Sequence, residues 1–129
     1  MYYNSIVINA DFESAQQKVT EALQKEGFGV LSEINVKATL KKKLDVDFRE
    51  YKILGACNPP FAYKALSLEE NIGVLMPCNV ILQEKEAGKI TVSAVNPMES
   101  MQAVENKKLG AIASEISDKL KKVLDSLTK

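Results

Sequence analysis

The sequence predicts an α/β (α+β) fold, a two-layer sandwich in which one mixed, mostly antiparallel sheet of about five strands is packed by helices. Stretches with period-two alternation follow stretches with helical periodicity along the chain, in the order β-α-β-α-β-α-β-β-α. The last two strands are close enough in sequence to form a hairpin, which makes at least one strand pair antiparallel. The 129 residues, 46% of them hydrophobic, suffice for a single domain, 1–129, with its own core.

Each predicted element follows from local signals. The elements are a strand over 5–8, a helix over 12–26, a strand over 30–36, a short helix around 40–44, a strand over 51–57, a helix from 59, a hairpin of strands over 78–83 and 90–95, a helix from 97 and a long helix from 106. Asp11, Asn58 and Asn96 are suitable N-caps, and proline follows both asparagines at the first helical position. Gly27 suits the left-handed residue that ends a helix, and we expect Phe28 to pack back on the last turn.

The alternation within the strands predicts which side chains share a face. Val30, Ser32, Ile34 and Val36 are expected on one face of their strand. In the C-terminal helix one apolar stripe is expected to pack on the sheet, namely Leu109, Ile112, Ile116, Leu120, Val123 and Leu127. The alternative is a symmetric dimer contact along a short heptad seam of Ala113, Ile116, Leu120, Val123 and Leu127.

The composition excludes several classes of function. Seventeen basic and seventeen acidic residues leave no net charge, so neither nucleic acid nor an anionic membrane is an expected partner. The absence of histidine excludes Ser-His-Asp and Cys-His catalysis and every His-ligated metal site. Two cysteines without C-x-x-C spacing do not form a disulfide framework, and no signal sequence or long apolar segment is visible. We therefore expect a cytoplasmic protein with free thiols.

Two short segments form the candidate site. Each places a cysteine at a strand end beside proline and asparagine: Ala56-Cys57-Asn58-Pro59-Pro60 and Leu75-Met76-Pro77-Cys78-Asn79. If the two strands are antiparallel neighbours, the two thiols are expected opposite each other on one face of the sheet. If the strands are parallel, the thiols lie at opposite edges. A connection of this length fits both arrangements.

The chemistry of the two thiols has three interpretations. Cys57 precedes a helix N-terminus, where the helix dipole favours a thiolate, although Pro59 and Pro60 lack two of the N–H groups that would stabilise it. Alternatively, both cysteines are small buried hydrophobes. Two thiolates also fill half of a tetrahedral zinc shell, which a second subunit would have to complete.

An ordered set of segments resembles a bacterial and archaeal family, the domain of unknown function 302. The set comprises Glu26-Gly27-Phe28-Gly29-Val30, Cys57-Asn58-Pro59 with Ala62, Leu75-Met76-Pro77-Cys78 and Asn96-Pro97. The resemblance spans about residues 5–125. It implies a compact α/β domain and a homodimer, without an agreed activity. Carried over, it places the family's recognisable positions at Cys57, Asn58, Pro59, Pro77 and Cys78.

The resulting hypothesis is a homodimeric binding domain for a small ligand or a protein partner, with no cofactor and no metal. The expected site residues are Cys57, Asn58, Pro59, Tyr63, Met76, Pro77, Cys78 and Asn79. The two asparagines would supply hydrogen bonds, and the tyrosine and methionine an adaptable apolar wall. The alternatives are a thiol-based redox sensor or enzyme, with Cys57 as nucleophile and Cys78 as resolving thiol, and a metal site that bridges two subunits. Whether the protein is an enzyme stays open.

Overall fold

A computed structural model describes residues 1–128, which form five strands, five α-helices and one 3-10 helix. In chain order they are β1 Tyr3–Asn9, α1 Phe12–Lys25, β2 Gly29–Asn35, α2 Val36–Leu44, β3 Tyr51–Cys57, α3 Pro59–Leu68, a 3-10 helix Glu70–Leu75, β4 Cys78–Glu86, β5 Lys89–Val95, α4 Pro97–Ser100 and α5 Leu109–Leu127. The predicted order of strands and helices is confirmed. The 3-10 helix was not predicted.

The strands form one sheet in the order β1-β5-β4-β3-β2, and every pairing within residues 1–128 is antiparallel. Helix α5 packs against α1, α3 and α4, and together these helices form the second layer. The predicted two-layer sandwich is therefore confirmed, but the sheet is antiparallel throughout rather than mixed. The reason is that the long connection through α3 and the 3-10 helix returns the chain beside β3 in the opposite direction instead of crossing over.

Alternation along the central strands separates a helix-covered face from an open face. Leu54 and Ala56 of β3 lie opposite Val80 and Cys78 of β4, and this row faces the helices. The alternate residues of the same strands, such as Ile53 opposite Ile81, face away from the helices. The core therefore lies between one face of the sheet and the helical layer.

Helix α1 is defined at both ends by the predicted caps. The Asp11 carboxylate accepts hydrogen bonds from the Ser14 backbone N–H and hydroxyl, both at 2.9 Å. These bonds hold the pKa of the Asp11 carboxyl below its ordinary value. At the other end Gly27 has a φ of 86°, and the Phe28 N–H donates to the Leu23 carbonyl at 2.9 Å. This is the Schellman arrangement, and it buries Phe28.

Strand β2 departs from the predicted alternation. The register with β3 shifts between Val30 and Ser32, so Leu31 forms a bulge and is largely exposed. Val36, expected at the end of the strand, is the first residue of α2, because the Asn35 side chain accepts from the Ala38 N–H and begins that helix. The expectation of one continuous face over 30–36 was wrong for these reasons.

The stripe of α5 is buried within this chain, in agreement with core packing on the sheet. Of its residues, Leu109, Ile112, Ile116, Leu120 and Val123 are buried, and Leu127 packs at the edge of the core. The helix begins at Leu109 rather than at 106. The Asn106 side chain donates to the Leu68 carbonyl at 2.9 Å and accepts from the Lys108 N–H, which holds the chain before 109 in a turn.

Candidate functional site

The two cysteines lie at neighbouring strand ends, because β3 ends and β4 begins at the same edge of the sheet. The register places Ala56, not Cys57, opposite Cys78. By alternation Cys78 therefore belongs to the helix-covered face and Cys57 to the other, so the expectation of a shared face was wrong. Because both faces of β3 are mostly apolar, the sequence does not distinguish a register that pairs Cys57 with Cys78 from one that pairs Ala56 with Cys78.

Both cysteines nevertheless line one cavity, at the point where the strands end and the chain enters α3. The cavity has a volume of about 40 Å³ and lies between the ends of β3 and β4 and the helices α3 and α5. Its lining consists of Phe28, Ala56, Cys57, Asn58, Phe61, Ala62, Ala65, Met76, Pro77, Cys78, Met101, Ile112, Ala113 and Ile116. Cys57, Met76, Pro77 and Cys78 are partly exposed, so the cavity has a route to the surface. Organic ligands usually occupy about 300–1,000 Å³, far more than this cavity offers.

The thiol of Cys78 is held in its neutral form. Burial raises the pKa of Cys78 from 9.0 to about 11, and the nearby Cys57 thiol adds to the effect. A thiolate is the reactive form of cysteine, so this environment opposes nucleophilic chemistry at Cys78. Both cysteines are free thiols.

Asn58 has a structural partner that the sequence did not indicate. Its side-chain Nδ2 donates to the Glu26 carbonyl, which belongs to the end of α1, at 3.1 Å. Only 7% of Asn58 is exposed, and a Cβ placed on Gly27 would lie 3.2 Å from the same Nδ2. Asn58 is the N-cap residue of α3, but its side chain forms no cap hydrogen bond there. Pro60 removes the N–H of the second helical position, and the amide is turned toward Glu26 instead. The side chain joins the start of α3 to the end of α1.

Three of the predicted site residues lie outside the cavity. Pro59 is exposed at the start of α3, and Tyr63 is 76% exposed on the outer side of that helix. Asn79 faces the open side of the sheet. The cavity thus brings together Cys57, Asn58, Met76, Pro77 and Cys78 from the predicted set.

Several lining residues were not predicted as site residues. Phe28 comes from the cap of α1, Phe61 from α3, Met101 from the end of α4, and Ile112 and Ile116 from α5. The sequence pattern marks the α5 residues as core, which they are, and nothing in the spacing of Met101 connects it to the cysteines.

Pro77 has a packing role in addition to its place in the cavity lining. The Met76-Pro77 peptide bond is cis. A Cβ on Gly55 would lie 2.8 Å from Pro77 Cγ and would collide with Ser32 Oγ. Glycine at position 55 therefore lets the Ser32 side chain of β2 and the segment before β4 approach each other over β3.

The open face of the sheet holds a second, shallower depression of about 450 Å³. Tyrosines and small polar side chains line it, and two of the lining residues, Ser5 and Ser93, are hydrogen-bonded through their hydroxyls at 2.6 Å. Val7 and Ile34 on the same face are about half exposed. The face is therefore partly apolar although none of the described helices covers it.

Among residues 1–128 no three histidine, cysteine, aspartate or glutamate side chains converge as a metal-binding group. A tetrahedral zinc site needs four such ligands, so one chain does not supply it.

Within residues 1–128, no helix has both the length and the apolar character needed to cross a bilayer.

Residues 4–127 match the family model described as Domain of unknown function DUF302. The chain belongs to the DUF302 family. A solved DUF302 structure, the crystal structure of an uncharacterized conserved protein from Bacillus stearothermophilus, is similar to this chain with 27% identity and a TM-score of 0.88, over 97% of each chain. No curated protein matches the sequence significantly. The predicted family is confirmed, and no specific function comes with it.

Proposed function

We propose that this DUF302 chain is a binding domain rather than an enzyme, and that the cavity beside α3 is its ligand site. The observation that supports this best is the lining, which is almost entirely apolar and sulfur-containing. Among the described residues that line it, the only ionisable groups are the thiols of Cys57 and Cys78. General acid–base catalysis needs a group that exchanges protons near the working pH, and the lining offers no carboxylate, lysine or histidine for this.

Thiol alkylation tests this proposal. We expect iodoacetamide to label the native thiols at neutral pH at least about tenfold more slowly than the urea-unfolded chain, with the modified cysteine located by mass mapping. Native labelling faster than in the unfolded chain would identify an activated nucleophile and overturn the binding assignment.

The open face of the sheet supports a symmetric dimer as the working form. At about 4.8 Å between strands and 3.3 Å per residue, a sheet of this width and length presents roughly 550 Å². Two such faces together reach the roughly 1,000 Å² at which specific interfaces begin. Tyr3, Val7, Tyr51 and Ile81 supply apolar and aromatic surface of the kind that interfaces contain.

Light scattering after gel filtration tests the dimer. We expect twice the chain mass for the wild type and the single-chain mass for Ile81→Lys, which places a charge on the open face. Val74→Lys is the matched control, because Val74 is 85% exposed and lies in the 3-10 helix. A monomeric wild type, or equal dissociation by both substitutions, would contradict the dimer.

The proposal includes a cytoplasmic location, where thiols stay reduced, and no nucleic-acid partner, because the charges balance.

A thiol redox pair is a second candidate, favoured by the position of the cysteines at adjacent strand ends. Their offset of one residue corresponds to roughly 6 Å between Cα atoms. Because the two side chains leave the strands on opposite faces, a disulfide also requires the end of β3 to turn toward Cys78. Oxidation by a peroxide would join the two sulfurs, remove two hydrogens from the protein and reduce the peroxide to two waters. A loss of two hydrogens in the intact mass, with the fold retained and the bond reversed by reductant, supports this candidate. A sulfinic acid or no change contradicts it.

A further inference from the structure

The size of the cavity restricts what it can hold. About 40 Å³ is too small for an organic metabolite but sufficient for a single ion or a molecule of water size. A water molecule needs two to four polar partners, whereas the only polar side chain in the lining other than the thiols is Asn58, whose Nδ2 is already bonded to Glu26. An occupant therefore has to be small and has to interact well with apolar and sulfur-containing side chains.

Sulfur is concentrated at this one place. The described chain has two cysteines and four methionines, and Cys57, Cys78, Met76 and Met101 all line the cavity. They come from three separate parts of the fold: the end of β3, the segment leading into β4, and the end of α4. The lining of this small cavity thus includes both cysteines and two of the four methionines of the chain.

We infer that this cavity is a binding site for a soft monovalent metal ion, Cu(I), with Cys57 and Cys78 as thiolate ligands and Met76 and Met101 as thioether neighbours. The inference rests on the proposed function, because it names the ligand of the same site. Soft thiolate and thioether donors select Cu(I). Binding exchanges one Cu(I) for the two thiol protons, and no electron is transferred.

The same donor set disfavours the common competitor, Zn(II). Zinc prefers four nitrogen, oxygen or thiolate ligands in a tetrahedron, and thioethers are poor substitutes for them. Within residues 1–128 no carboxylate joins the two cysteines to make a group of three ligands. The walls formed by Phe28, Phe61 and Ile116 also offer no donor atom that would complete a zinc shell.

Competition with a chromophoric chelator tests the inference. The reduced full-length protein is titrated without oxygen into the Cu(I) complex of bicinchoninate, and we expect one Cu(I) to be withdrawn per chain. Cys57→Ser and Cys78→Ser are each expected to weaken Cu(I) binding by at least about 100-fold, more than the usual effect of groups outside the ligand shell. Met76→Leu and Met101→Leu, which preserve side-chain volume, are expected to cost about tenfold.

Met98→Leu is the matched control, because Met98 lies in α4 close to Met101 in sequence but does not line the cavity. We expect this variant to bind like the wild type. Should the serine variants fail to fold, two measurements still decide the question. One is Cu(I) binding by Met76→Leu and Met101→Leu. The other is an X-ray absorption spectrum of the wild-type complex, which is expected to show only sulfur neighbours around the copper.

Three results would overturn the Cu(I) assignment: no withdrawal of copper by the wild type, equal losses in the Met98 and Met101 variants, or one copper shared between two chains. Uptake of Zn(II) with the same stoichiometry and affinity would overturn it too. The proposed function fails differently, through fast native alkylation of the thiols, so an absence of copper binding with slow alkylation removes only the ligand.

Discussion

Alkaline pH is expected to destabilise the protein through the thiol of Cys78. In the folded chain burial raises the pKa of this thiol to about 11, whereas the unfolded chain has the ordinary value of 9.0. Between these values the folded state holds a proton that the unfolded state has released. Stability falls with pH wherever the unfolded state binds fewer protons, so the loss begins near pH 9 and levels off above pH 11.

The magnitude follows from the two pKa values. One pKa unit corresponds to about 1.4 kcal/mol, so the difference between 9.0 and about 11 corresponds to about 3 kcal/mol. This is a large part of the 5–15 kcal/mol typical of single domains. Below pH 9 both states are protonated at Cys78, and the thiol contributes no pH dependence.

Urea unfolding in a phosphine reductant measures this effect at pH 8, 9, 10 and 11. Tyrosines and lysines also titrate in this range, so the quantity of interest is the difference between the wild type and Cys78→Ala. We expect the wild type to lose about 2 kcal/mol more than this variant between pH 8 and 11, because the folded thiol is half ionised at pH 11. Cys57→Ala retains Cys78 and most of the loss. Parallel pH profiles for the wild type and Cys78→Ala would show that Cys78 is not desolvated, and the described cavity would be wrong.

Three further predictions concern stability, each measured as the free energy of unfolding in urea. Gly27→Ala is expected to lower the free energy of unfolding by about 1–2 kcal/mol, because position 27 has a positive φ and the new Cβ would press on Asn58. Gly110→Ala is the control. The space around Gly110 in α5 is open, so this substitution should raise the free energy of unfolding by up to about 1 kcal/mol. Asn58→Ala is expected to cost about 1–3 kcal/mol through the lost hydrogen bond to the end of α1, and an unchanged value would contradict the link between α1 and α3. Ile116→Asp buries a carboxylate at a position that is 6% exposed and is expected to cost several kcal/mol or abolish folding. Wild-type stability of the Ile116→Asp variant would remove α5 from the core.

The parts of the fold that the sequence predicts well are those fixed by local chemistry. Helix α1 has an acidic N-cap, an apolar stripe and a glycine followed by Phe28, and each acts within a few residues. The hairpin of β4 and β5 and the stripe of α5 depend in the same way on short-range periodicity. Such features need no knowledge of what lies across the molecule.

The remaining features depend on long-range packing. The register of β3 with β4 decides whether Cys57 or Ala56 opposes Cys78, and both faces of β3 are apolar, so its sequence is consistent with either register. The partner of Asn58 lies 32 residues away, at Glu26, and the cap pattern suggested a different use for its side chain. Met101 reaches the cavity only because α4 packs on α5. The candidate site was therefore found through its cysteines, while its walls became visible only in three dimensions.

The amide of Asn58 belongs both to the wall of the cavity and to the terminus of another helix. An occupant that pushed this side chain aside would leave the Glu26 carbonyl without its donor and loosen the final turn of α1. Such an occupant would then increase the rate of amide hydrogen exchange around residues 26–28. Through this one hydrogen bond, any movement of the Asn58 wall of the cavity acts on the end of α1.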